Sequence, residues 1–379
     1  MAITIENKPT TPNVTDTKLV YAVSSSVATN PQFQYVTDIY EVGNSERLTR
    51  IFSYPNQQGY GVIEVGSILG DNLEYDNDWK ASTTTISDAN FKSFTLAFSE
   101  SYATSISGST TVYAGGADDT IRVFSGTVPQ TQGSYNFLTS ASFQVLSNST
   151  KTYVSKGNHI TVPVYIPIGT SNLKTEFIDD AGTVLQSSNQ SISPVDPSVF
   201  QVPIASGSTL FNTTYNDDDW EEIRISNNDN SELFYTLYRV RECDDSGVTF
   251  AFINNYGYYE YYSIKNPVRK STNVERDIAD LPQVDYSGIG TYDITRRGEK
   301  AYNTSYTDEF EVTTDYIDEE TSTLLTELFD SPEAFIQEQG DFIPIVITNA
   351  TYDRNTNQNR QKLFQYTINY RYSNQRYSR

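Results

Sequence analysis

The chain has 379 residues and a formal net charge of −22. That length holds two or three domains of about 100 to 200 residues, and the charge excludes nucleic acid and anionic membranes as principal partners unless a local basic patch overrides it. Hydrophobic residues make up 37% of the chain and 29 are tyrosines, a composition that suits half-buried strands and protein interfaces better than a dry core.

Taken in chain order, period-two alternation dominates. It predicts strands over FQYVTDIYEV (33–42), RLTRIFSY (47–54), SFTLAFS (93–99), HITVPVYIPI (159–168) and ELFYTLYRVRE (232–242). Pro163 and Pro167 argue that the fourth lies at a sheet edge, because proline has no N–H for the ladder. In FINNYGYYEYYSIKNP (252–267), Asn254–Gly257 predicts a turn with Gly257 at positive φ. Tyr256, Tyr258, Tyr259, Tyr261 and Tyr262 then occupy both faces of a predicted exposed strand, one face packing on its own module and the other meeting a neighbouring subunit. A strand sandwiched within one chain is the alternative reading of the same tyrosines.

Residues 266–288 carry turn formers and little periodicity, and predict a connector. Helical signal is confined to IDEETSTLLTELFDSPEAFIQEQG: Asp318 caps, Glu319 and Glu320 fill the first turn, and Leu324, Leu325, Leu328 and Phe329 form the apolar stripe. Ser331, Pro332 and Glu333 predict a second helix start and Gly340 its end. In LFQYTINYRY (363–372), Phe364, Tyr366, Ile368, Tyr370 and Tyr372 share one face of a half-buried strand. The expected class is mainly β: sandwich-like modules over 1–130 and 131–265, then a connector and a C-terminal α+β assembly module over 266–379.

Residues for chemistry are few. His159 is the only histidine and Cys243 the only cysteine, which excludes an intrachain disulfide and leaves both residues best read as structural. Acidic residues flank tryptophans in DNLEYDNDW (71–79) and NDDDWEE (216–222), and DRNTNQNRQ (353–361) imitates a calcium loop. None has the spacing and glycine such a loop requires, so solvated turns are the expectation, ahead of calcium or a glycosidase pair. YAGGADDT lacks the lysine and following helix of a phosphate loop. No cofactor, metal or catalytic residue is expected.

Charge is segregated late in the chain: Asp308 to Asp341 holds twelve acidic residues and no Lys or Arg, and Arg354 to Arg379 holds six basic residues and no acid. Beside a simple solvated face, this predicts heterologous packing, with Arg360, Lys362, Arg371, Arg376 and Arg379 of one copy against Asp318, Glu319 and Glu320 of the next. The opening residues show no secretory pattern and no apolar run approaches a bilayer span, so a soluble chain made in the cytoplasm is expected.

Three stretches, 33–76, 247–277 and 342–379, together resemble virion structural proteins of tailed bacteriophages, in particular those of Bacteroidetes-infecting and crAss-like phages. The resemblance implies a non-enzymatic tail, neck or baseplate subunit, made in the host cytoplasm, located in the virion, and partnered by copies of itself and other virion proteins. A receptor- or carbohydrate-binding adhesin module, with the tyrosines and Trp79 or Trp220 stacking on a host-surface glycan, is the competing expectation.

Overall fold

A computed structural model describes residues 3–75, 85–86, 89–127, 143–155, 160–169, 171–204, 220–227, 232–240, 247–285, 290–292, 298–338, 340–348, 363–374 and 377–378. The fold is mainly β, 59% strand and 6% helix, in sandwich-like modules as the alternation predicts. The chain divides into two compact units, each discontinuous in sequence: Met1–Lys151 with His159–Leu237 and Ile253–Glu260, and Thr152–Asn158 with Tyr238–Phe252 and Tyr261–Arg379. This differs from the three consecutive segments read from composition, since residues on both sides of 130 belong to the first unit.

In the first unit, a sheet ordered Ile3–Asn7, Val20–Ser25, Gly61–Glu64 accompanies a five-stranded sheet, Asn13–Val14, Thr111–Phe124, Phe91–Tyr102, Gln34–Glu41, Arg47–Ser53. Tyr21, Tyr35, Ile39, Phe94, Leu96 and Phe98 are buried together in the core of this region. A further sheet runs Gln144–Val145, Ile160–Ile166, Ser198–Ile204, Thr85–Ile86, and the strands Glu232–Val240, Glu222–Asn227, Ser171–Ile178 and Val184–Ile192 lie side by side in that order. Pro163 therefore sits inside a sheet and not at its edge. Its carbonyl accepts from the Leu146 N–H at 2.9 Å, and the Leu146 carbonyl, which a residue with an N–H at 163 would reach, instead takes Asn254 Nδ2 at 2.8 Å. A side chain replaces the donor that proline lacks.

One turn design occurs three times among the described residues of this unit, at 56–60, 179–183 and 254–258. In each, the first residue's Oδ1 accepts from the N–H groups two and four residues on, over 2.7–3.1 Å. The fourth-position N–H donates to the first carbonyl, and the first N–H to the fifth carbonyl. The fourth residue is glycine at φ +87 (Gly59), +81 (Gly182) and +74 (Gly257). Asn and Asp supply the side-chain acceptor, and glycine accepts the left-handed backbone without steric cost. The turn and positive φ predicted at 254–257 are present.

The second unit is built on a sheet ordered Tyr259–Ile264, Val248–Ile253, Ala334–Glu338, Asp341–Ile347, Thr367–Tyr372, Glu299–Thr313, Arg269–Asp280, with Tyr377–Ser378 also pairing Glu299–Thr313. The helix Glu319–Asp330 starts where predicted, its Thr321 N–H donating to the Asp318 side chain at 2.9 Å. Leu324, Leu325 and Leu328 pack with Phe250, Phe252, Tyr366, Ile368 and Tyr370. The predicted second helix is instead the strand Ala334–Glu338, because hairpin pairing with Asp341–Ile347 buries Ala334 and Ile336. Gly340, at φ +84, turns that hairpin. Residues 269–280, read as connector, form a twelve-residue strand.

Candidate functional site

The tyrosines expected at a subunit surface are not on one. Tyr256, Tyr258, Tyr259, Tyr261 and Tyr262 are all buried, and every residue of Tyr259–Ile264 is buried. Tyr256 and Tyr258 pack with Val14, Phe91, Phe124, Leu146, Tyr165 and Val199 in the first unit. In the second, Tyr261 meets Phe342 and Tyr262 meets Tyr153, both edge-on. Neither strand face is solvent, as composition suggested, but the cover comes from the same chain.

The 254–258 turn is held firmly. Asn90, itself buried, donates from Nδ2 to the Gly257 carbonyl at 2.8 Å and accepts the Ser125 N–H at 2.9 Å. The Thr127 N–H reaches the Asn255 carbonyl at 2.9 Å. Beside it, the buried Glu260 carboxylate accepts from the Tyr235 hydroxyl and, at 3.1 Å, from Asn254 Nδ2. Burial pushes this carboxyl above the usual carboxylate range, and the bonds from Tyr235, Asn254 and Ser147 oppose that shift. With donors on both oxygens and no opening to solvent, the group braces a turn and is not poised for chemistry.

The charge-segregated residues separate in role. Asp318 is a helix cap, Glu319 is exposed and Glu320 half-buried. Asp308 is buried, and the bond from Lys270 Nζ at 2.6 Å and one from Thr272 at 2.5 Å hold its carboxyl below the usual range. Arg371 is exposed on the Thr367–Tyr372 strand. Arg360, Lys362, Arg376 and Arg379 lie outside the described residues, as do His159, Cys243, Trp79 and the 353–361 loop. Trp220 is buried edge-on to Phe177, so it offers no sugar platform. YAGGADDT lies within the Thr111–Phe124 strand, with Gly116 against the Phe98 carbonyl. Among the described residues no group of three or more metal-binding side chains occurs, and no helix is long and apolar enough to cross a membrane.

What sequence reading missed is an arm. Arg269–Asp280 and Glu299–Thr313 pair from Arg269↔Glu311 to Asp280↔Glu299, a ribbon of about 40 Å at roughly 3.3 Å per residue. Almost all of Arg269–Asp280 is exposed. Beyond the pairing of Phe310 and Glu311 with Tyr370 and Asn369 at its base and that of Ser305 and Tyr306 with Ser378 and Tyr377, the ribbon is two-stranded among the described residues. Its faces differ. One carries Phe310, packed on Tyr370 and Tyr372 and paired with Lys270, then Thr272↔Asp308, the exposed pair Val274↔Tyr306, Arg276↔Thr304 and exposed Ile278. The other carries Ser271, Asn273, Glu275, Asp277 and their partners, all polar but for Ala279. A bulge at Asp277/Ile278 adds Tyr302, 68% exposed. At the distal end, Leu281, Val284 and Tyr292 line an open hollow of about 640 Å³ with Asp280 and Glu299. The usable signal was the wide spacing of Val274 and Ile278 opposite Tyr302 and Tyr306, legible only once the pairing is known.

No family model matches the chain, and no curated protein does. Among solved structures, CBD12 from CALX1.2 is similar at 8% identity and a TM-score of 0.20, covering 60% of this chain and 80% of that one. The fibronectin(III)-like modules of Clostridium thermocellum CbhA match at 6% identity and a TM-score of 0.16, over 62% of this chain and 93% of theirs. Trypsin-activated alpha-2-macroglobulin from Escherichia coli matches at 7% identity and a TM-score of 0.20, over 82% of this chain and 22% of its own. Likenesses this distant establish neither a family nor a function.

Proposed function

We propose that the chain is a non-enzymatic structural subunit of a tailed-phage virion, in the tail, neck or baseplate, that assembles by laying its arm on a neighbouring copy. The observation that carries this reading is the exposed amphipathic ribbon. A two-stranded hairpin is marginal in water unless a further layer covers its apolar face, and Val274, Ile278 and Tyr302 stand exposed on that face beside Tyr306, which is 37% exposed. Tyrosine and aliphatic side chains rimmed by charge have the composition of interface centres. The late charge segregation, with Arg371 exposed, supports a copy of the same chain as the occupant, and the three resembling stretches support the virion setting.

The test compares wild type with Val274→Asp/Tyr306→Asp. Light scattering after size exclusion, at low and high salt, is expected to show an assembly larger than a dimer that the double variant loses; because the two aspartates face each other across the ribbon, Val274→Thr/Tyr306→Thr, which adds no charge, is expected to lose it as well. An assembly untouched by the variant would remove the arm from the reading, and absence of the protein from purified virions by mass spectrometry would remove the virion.

A second reading is favoured by a different surface. The Asn56 turn presents exposed Tyr54 and Tyr60 beside exposed Phe52 and Val62, ring faces on a rigid support of the kind a carbohydrate-binding adhesin uses. Glycan-array binding lost on Tyr54→Ala would establish it.

A further inference from the structure

We propose that the Val184–Ile192 strand is a self-pairing edge, to which a second copy of this chain adds its own Val184–Ile192 strand antiparallel, about a two-fold axis at Ser188. The inference concerns the first unit and does not rest on the arm or on the virion reading.

The strand is the last in its sheet. It pairs with Ser171–Ile178 along its length, from Ser171↔Ile192 to Ile178↔Val184, and no strand flanks its other side among the described residues. Such an edge presents a row of backbone N–H and C=O groups that another strand can complete, and proteins blunt it with charge, proline or brevity. Two other edges show this defence. Arg47–Ser53 carries Arg47 and Arg50, and Arg269–Asp280 carries Arg269, Lys270, Glu275, Arg276, Asp277 and Asp280. The sequence VLQSSNQSI has nine residues, no charge, no proline and no glycine, and its one irregularity is a bulge near the Val184 end. In a chain of net charge −22, eight exposed or half-buried positions over 184–191 without a carboxylate leave nothing to repel an identical strand.

The order of residues names the occupant. About Ser188 the central stretch 186–190 is nearly palindromic: Ser187 faces Asn189 and Gln186 faces Gln190. Exposure alternates in step, with Gln186, Ser188 and Gln190 half-buried and Ser187, Asn189 and Ser191 exposed. Over 186–190, antiparallel pairing about Ser188 therefore sets half-buried residues against half-buried ones and exposed against exposed. Outward-pointing backbone groups recur at alternate residues, so a two-fold axis must pass through a residue position, and Ser188 meets that condition. The contact is isologous, joining two sheets into one across the axis.

The experiment is sedimentation velocity on the full chain over a concentration series, in the wild type and in Val274→Asp/Tyr306→Asp, so that association through the arm and through this edge are read separately. Wild type is expected to show a concentration-dependent dimer that the arm variant retains. Ser187→Lys/Asn189→Lys sets like charges opposite each other twice and should weaken the dimer roughly tenfold or more. Ser187→Lys/Asn189→Glu sets Lys against Glu only if the axis lies at Ser188, and should keep it. Both sites are exposed, and an unchanged far-ultraviolet circular dichroism spectrum confirms the fold. A monomer at every concentration, a dimer indifferent to the double lysine, or equal weakening by both pairs would overturn the proposal. If the double lysine variant alone loses its strand spectrum, the Lys/Glu variant decides: a dimer supports the Ser188 axis and a monomer overturns it.

Discussion

Alanine at the glycine of each of the three matching turns separates backbone cost from packing cost. Gly59, Gly182 and Gly257 share their hydrogen bonding and differ by at most 13° in φ, from +74 to +87. A Cβ on Gly59 or Gly182 meets nothing within 4 Å, whereas one on Gly257 would lie 1.6 Å from the Ser125 carbonyl oxygen and 2.8 Å from Asn90 Nδ2. Left-handed backbone costs a non-glycine residue about 1–2 kcal/mol, and this is the whole expected cost of Gly59→Ala and Gly182→Ala. Gly257→Ala adds overpacking against main chain, about 1–3 kcal/mol, for a total of roughly 2–5 kcal/mol, and it displaces the Asn90 bonds as well. Urea unfolding, followed by circular dichroism and assigned to the first unit, reads all three. Equal losses in the three variants would refute the argument that the 254–258 turn is seated against Ser125.

Glu260 gives a pH signature. Its carboxyl is raised above the ordinary 4.5 by burial, so the folded state holds the proton more tightly than the unfolded chain; that stability is present in full below about pH 4.5 and is lost as pH rises through the raised folded value. Glu260→Gln cannot ionise, so its urea midpoint should fall less than that of wild type as pH rises from 4.5; parallel profiles would count against the buried network. Asp318→Ala removes the helix cap and should cost the second unit about 1 kcal/mol, whereas Asp318→Asn should recover most of it, both read by urea titration. Phe250→Ala empties a core position edge-on to Tyr370 at 5.5 Å and should cost about 3–5 kcal/mol, measured in the same way.

The fold was legible where one face of a strand meets water. At 363–372 the alternation of Tyr366, Ile368 and Tyr370 with polar neighbours matches the buried positions, and Asn254 with Gly257 specified its turn through local hydrogen bonds that need no tertiary partner. Legibility failed where the deciding partner is distant. Tyrosine on both faces of 259–264 signals cover on both faces, but composition is the same whether the cover is a neighbouring subunit or, as found, Tyr153, Tyr235 and Phe342. Ser331 and Pro332 are sound helix-start residues, yet the strand pairing of Phe335 with Pro344 and Ile336 with Ile343 outweighs local propensity. Arg269–Asp280 has only Val274 and Ile278 as large apolar residues, four apart, and becomes a strand through cross-strand bonds to a segment nineteen or more residues later. The candidate surface was hidden for the same reason: its tyrosines belong to Glu299–Thr313, and the face they occupy is fixed only by that register.

The seating of the 254–258 turn also sets a timetable for synthesis. Thr127 and Asn255 are bonded across 128 residues of sequence, an interval of roughly 6 to 26 s at a translation rate of ~5–20 residues per second. Until the turn leaves the ribosome, Asn90 and the Ser125 main chain lack the groups they bind, and Phe124 lacks Tyr258. A nascent chain stopped before 254 thus carries an open socket in the first unit, one that a free peptide spanning 253–260 is shaped to fill.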